Sequence, residues 1–583
     1  MFPCLPRHFG TFVAVLALAA ALRAQTPFVS SPWCGNVTAT SATAALRVVN
    51  PGMKVRLLVS RTADLSESQF SLPVASSAET GNAVKLEVQG LLPNTEYFYG
   101  FEINGSVSGE VISRGRFRTF PLGAASFKIA FSSCADYRKE DQSAFSAIEA
   151  ERPLLFINTG DLHYNDTNST NVEDYRRNYD GVLQHPVQAS LYRNIPVAYM
   201  WDDHDFSGND SDGGSIGRDA ARRAYRERVP HYPLGSAGGT MAQAFTIGRV
   251  RVIMTDMRSA ADSRLIPDNA AKSHLGEAQK TWFKQELIAA RDADFPLIIW
   301  VCTAPWIGTA GSGDDDWSVY STERREIANF IKANRIKNVT LISGDMHALA
   351  YDNGAHSDYA DGGGAPLVVL HAAALTSDGS SKGGPYTGGP FPGNRQYGVL
   401  EVTDTGGTTI AANFSGKRVG EGTKLTYDFT AQTSGKTTSV ASAPLSGDST
   451  GDKALTAIST RGRIVGGDVL IAGFVVSGRS PRNVMIRAVG PSLVPHGVPD
   501  ALPNPKLVVY QGPTAIADND DWGTGNVTQI SAGFVRGGLF PYSSQTSKDS
   551  ALFLLLAPGV YTAQVRSADG AGGVTLVEVY DVP

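Results

Sequence analysis

The sequence predicts an α/β core carried between two all-β modules. Three observations point there. Short β-branched apolar runs in the middle of the chain stop at Asp, His or Cys, helical patterns lie between those runs, and the flanks hold only short β segments broken by Gly and Pro. At 583 residues the chain is too long for one core, and 18% charged residues with 61 Gly describe a globular, loop-rich protein.

Residues 1–24 carry Arg7, an apolar stretch over 12–22 and small residues ending at Ala24, the layout of a cleaved secretory leader. That stretch is too short for a bilayer span, and no later one is longer, so no transmembrane anchor is expected. The expectation is an exported protein: secreted, periplasmic or held at the cell surface. The net charge of −5 becomes more negative once Arg7 and Arg23 leave with the leader, which argues against nucleic acid as a stable partner.

Residues 28–120 read as a β-sandwich of short alternating segments at 45–49, 54–59 and 84–88. Leu92-Pro93-Asn94-Thr95-Glu96-Tyr97-Phe98-Tyr99 resembles the tyrosine corner of fibronectin type III domains, which marks the module as fibronectin-III-like. Over 125–430 the texture turns to alternating strands and helices. Helical patterns cover 142–151, 274–290 and 321–333, strands are expected at 250–254 and 297–301, and 397–402 with 409–414 suggest a closing hairpin. Residues 431–450, rich in Ser, Thr, Gly and Ala, are a linker by composition. Beyond it, 454–583 is an all-β module resembling sandwiches appended to secreted bacterial proteins, and it is read as a contact to the cell surface or a polysaccharide. Its Asp518-Asn519-Asp520-Asp521 run is read as a solvated turn before a calcium site.

The chemistry lies at four strand ends. Runs at 127–131, 154–158, 195–200 and 339–342 lead into Ser132-Ser133-Cys134, Gly160-Asp161-Leu162-His163-Tyr164, Asp202-Asp203-His204-Asp205 and Gly344-Asp345-Met346-His347. Ligands of open α/β sheets gather beyond the carboxyl ends of strands, so these side chains can meet in one crevice. A phosphate ester resists hydroxide because its oxygens are anionic, and a pair of metal ions answers this by acidifying water and neutralising those oxygens. Asp161, behind Gly160 at a sharp turn, is the candidate bridge, and the missing Gly side chain is expected to let backbone approach the metal. Asp203 serves the second metal, and His204 donates a proton to the leaving group. His347 ligates the first metal while Asp345 faces the second. A Cys134 thiolate and a Tyr164 phenolate suit ferric iron (Fe3+), and a carboxylate-rich second site suits calcium, with other divalent cations as alternatives. Asn165, Asn209, Trp317 and Tyr320 are candidates for the substrate rim, although packing alone would account for Trp317. Cys34 and Cys302 read equally as buried thiols or as a bridge.

Taken in order, these motifs resemble the PhoD-type alkaline phosphatases of the calcineurin-like metallophosphoesterase superfamily. The resemblance rests on Ser133-Cys134, Gly160-Asp161 with Tyr164, Trp201 to His204, Asp315-Asp316-Trp317-Ser318-Val319-Tyr320 before Arg324, and Gly344 to His347. It covers about residues 28–420 and implies a metallophosphoesterase-type β-sandwich flanked by helices. It further implies iron at Cys134, Asp161, Tyr164 and His347, with calcium near Asp161, Asp203 and Asp345. Many superfamily members carry a histidine where Cys302-Thr303-Ala304 stands, and here that ligand has no replacement in the sequence.

The activity this implies is metal-dependent hydrolysis of a small-molecule phosphate ester. A phosphodiesterase or phospholipase-D-like enzyme would use the same site, because the pocket rim decides between them. A non-catalytic surface-binding protein is the third reading. The density of ionisable groups at strand ends argues against it, since burying them without metal is costly.

Overall fold

The computed structural model describes residues 26–432, apart from 110–112, 236–237 and 313–314, and most of 457–582. The expected leader and nearly all of the expected linker lie outside the described residues. The chain divides into two compact units, Met1–Val440 and Ala441–Pro583.

Valine, isoleucine and phenylalanine runs flanked by turn residues form strands because branched side chains pack well on a pleated surface. In the first unit they make two large sheets. Among the described residues, the first sheet has nine strands, and at its centre Phe127–Ser132, Leu155–Asn158 and Val197–Tyr199 run parallel. The second has seven, with Val250–Thr255, Leu297–Cys302, Val339–Ser343 and Val368–His371 parallel. Alternation along each strand decides what is buried where. Ile129, Phe131 and Ile157 of the first sheet share one apolar core with Val252, Met254, Ile299, Val301 and Ile342 of the second. The two sheets therefore pack face to face. The opposite face of the second sheet, through Ile253, Ile298, Trp300 and Leu341, is covered by the helices Glu277–Asp292 and Ser321–Ala333 in a separate core.

The strands of the N-terminal β module are divided between two sheets. Trp33–Gly35, Ser41–Arg47 and Ala83–Gln89 extend the nine-stranded sheet, because Trp33–Gly35 lies parallel to Val197–Tyr199. Lys54–Ser60 and Glu96–Ile103 belong to a separate small sheet. There the Leu92 N–H donates to Tyr97 Oη at 2.9 Å. Charge ties the module down as well. Asp180, on the helix Val172–Gln184, accepts from Arg47 of the module and from the buried Arg228, while Arg47 also meets Glu173 at 2.8 Å.

The second unit is two four-stranded antiparallel sheets, Ala457–Ile464 with Gly573–Asp581, Arg482–Val489 and Ser550–Leu556, and Leu470–Val476 with Gly559–Ser567, Pro505–Gln511 and Thr514–Asn519. Phe474, Ile486, Leu507 and Val577 fill the core of this unit. Among the described residues, no helix is long and apolar enough to cross a membrane.

Asp180→Ala leaves the Arg228 guanidinium buried without its carboxylate. The substitution is expected to cost about 3–5 kcal/mol in urea unfolding. A loss near ~0.5 kcal/mol, the value of an exposed pair, would contradict this account.

Candidate metal centre

Three of the expected ligands occupy the left-handed backbone region: Cys134 at φ 62°, Asp161 at φ 52° and Asp345 at φ 57°. L-residues adopt it at a cost, and such positions concentrate at functional sites. Each sits just past a strand, where the chain must turn sharply to point a short side chain into the crevice. Backbone bonds hold the turns together, with Cys134 N–H donating to Gly160 O at 3.2 Å and Ala135 N–H to Asp161 O at 2.7 Å. Two glycines let the strand ends approach. A Cβ on Gly344 would lie 2.5 Å from Thr159 O, and one on Gly160, at φ 107°, would lie 2.5 Å from the Asp202 Cβ. The close neighbour that Gly160 admits is therefore Asp202.

The side chains then converge as a chain of three groups. Cys134, Asp161 and His347 place ligand atoms within 4.8 Å of one another, as do Asp161, Asp203 and His204, and then Asp203, Asp210 and Asp315. Asp161 and Asp203 are the shared members. Tyr164 joins the first group, its hydroxyl donating to Asp161 Oδ2 at 2.9 Å and lying 3.1 Å from His347 Nε2. His347 Nδ1 is 2.6 Å from the Asp378 carbonyl, which can only accept, so Nδ1 carries the proton and Nε2 keeps its lone pair for the site. His204 Nδ1 meets Asp166 Oδ1 at 2.5 Å, and its ring lies over Tyr164 with centroids 4.0 Å apart.

Electrostatics shows what the cluster lacks. Burial, and then the Asp203 and Asp202 charges, push the Asp161 carboxyl well above its ordinary range. Burial and Asp161 do the same to the Cys134 thiol and the Tyr164 phenol. Burial would raise Asp203 too, but Arg258 and His204 outweigh it and bring it down to about 2. Asp203 thus has charged neighbours that hold it ionised, whereas burial pushes Asp202 and Asp315 up despite Arg258. Asp161 has none that do so, and its Oδ1 is buried with no hydrogen-bond partner, as is Asp202 Oδ2. Thiol, phenol, carboxylate and an imidazole lone pair around an orphaned oxygen fit a metal ion.

Asp345 is buried but belongs to none of the three groups, and instead receives Lys382 Nζ at 2.8 and 2.7 Å on its two oxygens. Two expected rim residues lie elsewhere. Trp317 is fully buried among Trp300, Trp306 and His274, with its indole N–H 3.1 Å from Cys302 Sγ. Tyr320 is 2% exposed, stacks on His274 and donates to Asp262 O at 2.6 Å. Both are core residues, since the turn Trp317–Tyr320 packs into the helix-covered face of the second sheet. Asn165 is half-buried and donates to Asn178 Oδ1 at 2.9 Å, and Asn209 is exposed. Cys34, Cys134 and Cys302 are all free and buried, so Cys34 and Cys302 form no bridge.

Sequence reasoning missed Asp202, Asp315, Arg258 and Lys382 as parts of the site, and passed over Asp210 as a ligand. Arg258 Nε binds Asp202 and its Nη1 reaches Asp315 at 2.7 Å. It follows the strand Val250–Thr255, so its strand-end position was a usable signal.

The profile of the PhoD-like phosphatases matches residues 129–391, and that of their N-terminal domain matches 17–121. Over 326 residues the chain is 25% identical to alkaline phosphatase D of Bacillus subtilis (strain 168), covering 48% of this chain and 55% of that relative. The chain thus spans about half the length of that curated relative. The solved structure of PhoD superposes with a TM-score of 0.56 at 18% identity, over 70% of this chain and 91% of the other, and so shows a shared fold. A two-sheet α/β sandwich with groups that could hold a metal at its strand ends is the class that fold and site define. The chain belongs to the PhoD-like phosphatase family.

Gly160→Ala forces a Cβ into Asp202 at an unfavourable φ. It is expected to cost about 1–3 kcal/mol and to lower metal content, read by thermal melting and elemental analysis. An unchanged melt would show that the strand ends can move apart freely.

Proposed function

We propose that the protein is an exported, metal-dependent hydrolase of small phosphate esters, of the alkaline phosphatase type. The observation that carries this reading is the orphaned Asp161 Oδ1, enclosed by Cys134, Tyr164 and His347 and shared with the Asp203 group. We assign iron to Cys134, Asp161, Tyr164 and His347, and calcium to the carboxylates around Asp161 and Asp203. Bound there, the cations would acidify water and neutralise phosphoryl oxygens.

The chain's own residues do the rest. The proton on His347 Nδ1 is fixed by the Asp378 carbonyl, which keeps Nε2 available to the site. Asp166 holds His204 by Nδ1, which leaves Nε2 to hand a proton to the departing oxygen. Arg258 keeps Asp203 ionised, so this carboxylate remains a donor over the whole neutral and alkaline range. On the expected secretory leader, we read the activity as lying outside the cytoplasm.

Purified protein is expected to contain iron, to show a visible thiolate- or phenolate-to-iron band, and to hydrolyse an aryl phosphate until chelated. Asp161→Asn should abolish both colour and turnover. A colourless, metal-free sample with full activity would sink the assignment. Relative rates on an aryl monoester and a bis-aryl diester decide between phosphatase and diesterase action.

His204→Ala should slow alkyl phosphates by about 10²–10⁴-fold. Aryl phosphates, whose leaving groups need no proton, should lose far less. Equal losses on both would remove His204 as the proton donor.

A further inference from the structure

The second half of the crevice is furnished with side-chain cations. Arg258 meets Asp202 and Asp315, and Lys382 meets both oxygens of Asp345. Lys382 is not a surface lysine that happens to touch an acid. Its side chain is 27% exposed, and the backbone around it is fixed. The Lys382 carbonyl accepts from Tyr386 Oη at 2.9 Å, Gly384 N–H donates to Ile307 O at 3.1 Å, and a Cβ on Gly383 would lie 1.9 Å from Ile307 O. The same loop reaches the first metal group, where Ser380 N–H donates to His347 O at 3.2 Å.

An ammonium seated on both oxygens of a carboxylate takes a lone pair on each and sets a positive charge against the face that a divalent cation would use. Its single charge cancels that of Asp345, and a calcium ion at the same place would have to expel it against like-charge repulsion. Resting on the metal-centre reading above, we propose that Lys382 stands in for a metal ion at Asp345. The ammonium is the resident cation there, and the protein holds one divalent ion fewer than a second site lined by free carboxylates would take. Phosphoryl oxygens entering the crevice still meet positive charge, now supplied by the chain itself.

Equilibrium dialysis of the full chain against calcium chloride, with elemental analysis of bound calcium and iron, tests this without any turnover. The expected result is that Asp345→Asn binds as much calcium as the wild type, because Asp345 is not a ligand. Lys382→Met should gain about one calcium per chain as Asp345 becomes free, and Lys382→Met combined with Asp345→Asn should lose that gain. Lys382→Arg should keep the wild-type count. A wild-type calcium that disappears in Asp345→Asn would overturn the proposal, as would a folded Lys382→Met with an unchanged count. Should Lys382→Met fail to fold, the Asp345→Asn count alone decides: unchanged supports the proposal and a fall overturns it. The count is taken without substrate, so failure of phosphate-ester hydrolysis would leave it standing, and a failed count would leave the hydrolase assignment to its own assay.

Discussion

Buried negative charge is the constraint on which this molecule turns. Asp161, Asp202, Asp203, Asp315 and Asp345 all lie nearly inaccessible to solvent at the ends of two packed sheets. Each close pair of like charges costs about 4 kcal/mol at the effective dielectric near a protein surface, so the cluster persists only beside comparable positive charge. Arg258 and Lys382 provide part of it, directly against three of the five carboxylates. Much of what they leave unmatched lies around Asp161, where a thiol and a phenol, whose metal-binding forms appear only when a cation draws off the proton, stand beside an imidazole that already keeps a lone pair.

The scaffold answers that constraint with rigidity. A shared core between the two sheets fixes the distance between the strand ends of one and those of the other. Left-handed turns at Cys134, Asp161 and Asp345 store of order 1–3 kcal/mol each, which a loosely packed loop would release by relaxing away from the crevice. The N-terminal strands contribute by extending the same sheet, and the Arg47–Asp180–Arg228 contacts lock them there. The module that reads from sequence as a separate sandwich is in part a continuation of the sheet that carries the site.

Much of this was legible because strands and ligands are both local signals. The runs at 127–131, 154–158 and 339–342 match the strands Phe127–Ser132, Leu155–Asn158 and Val339–Ser343, and the residues after them do converge. The helix expected at 321–333 is Ser321–Ala333. Legibility ends where a role depends on which neighbour a fold supplies. Asp345 looks like a ligand in its motif, but its partner Lys382 comes from a Gly-rich loop with no periodicity and no motif. Trp317 and Tyr320 share the motif of Asp315, but a 3-10 turn over Trp317–Tyr320 sends the carboxylate to Arg258 and the rings into the core. The short spacing that made them look like one site could not show which way the turn faces.

The position after Leu297–Cys302 joins these threads. There the chain has Thr303, whose hydroxyl donates to Asp202 Oδ1 at 3.1 Å, the same oxygen that Arg258 Nε engages. Both act on Oδ1, while Asp202 Oδ2 is buried with no hydrogen-bond partner, so this carboxylate keeps an unmatched oxygen as Asp161 does. At Asp202 and at Asp345 side-chain cations thus supply part of the positive charge that the crevice demands. The side-chain cations leave orphaned oxygens on Asp161 and Asp202 alike, and the thiol, phenol and imidazole beside Asp161 mark that one as the softer site.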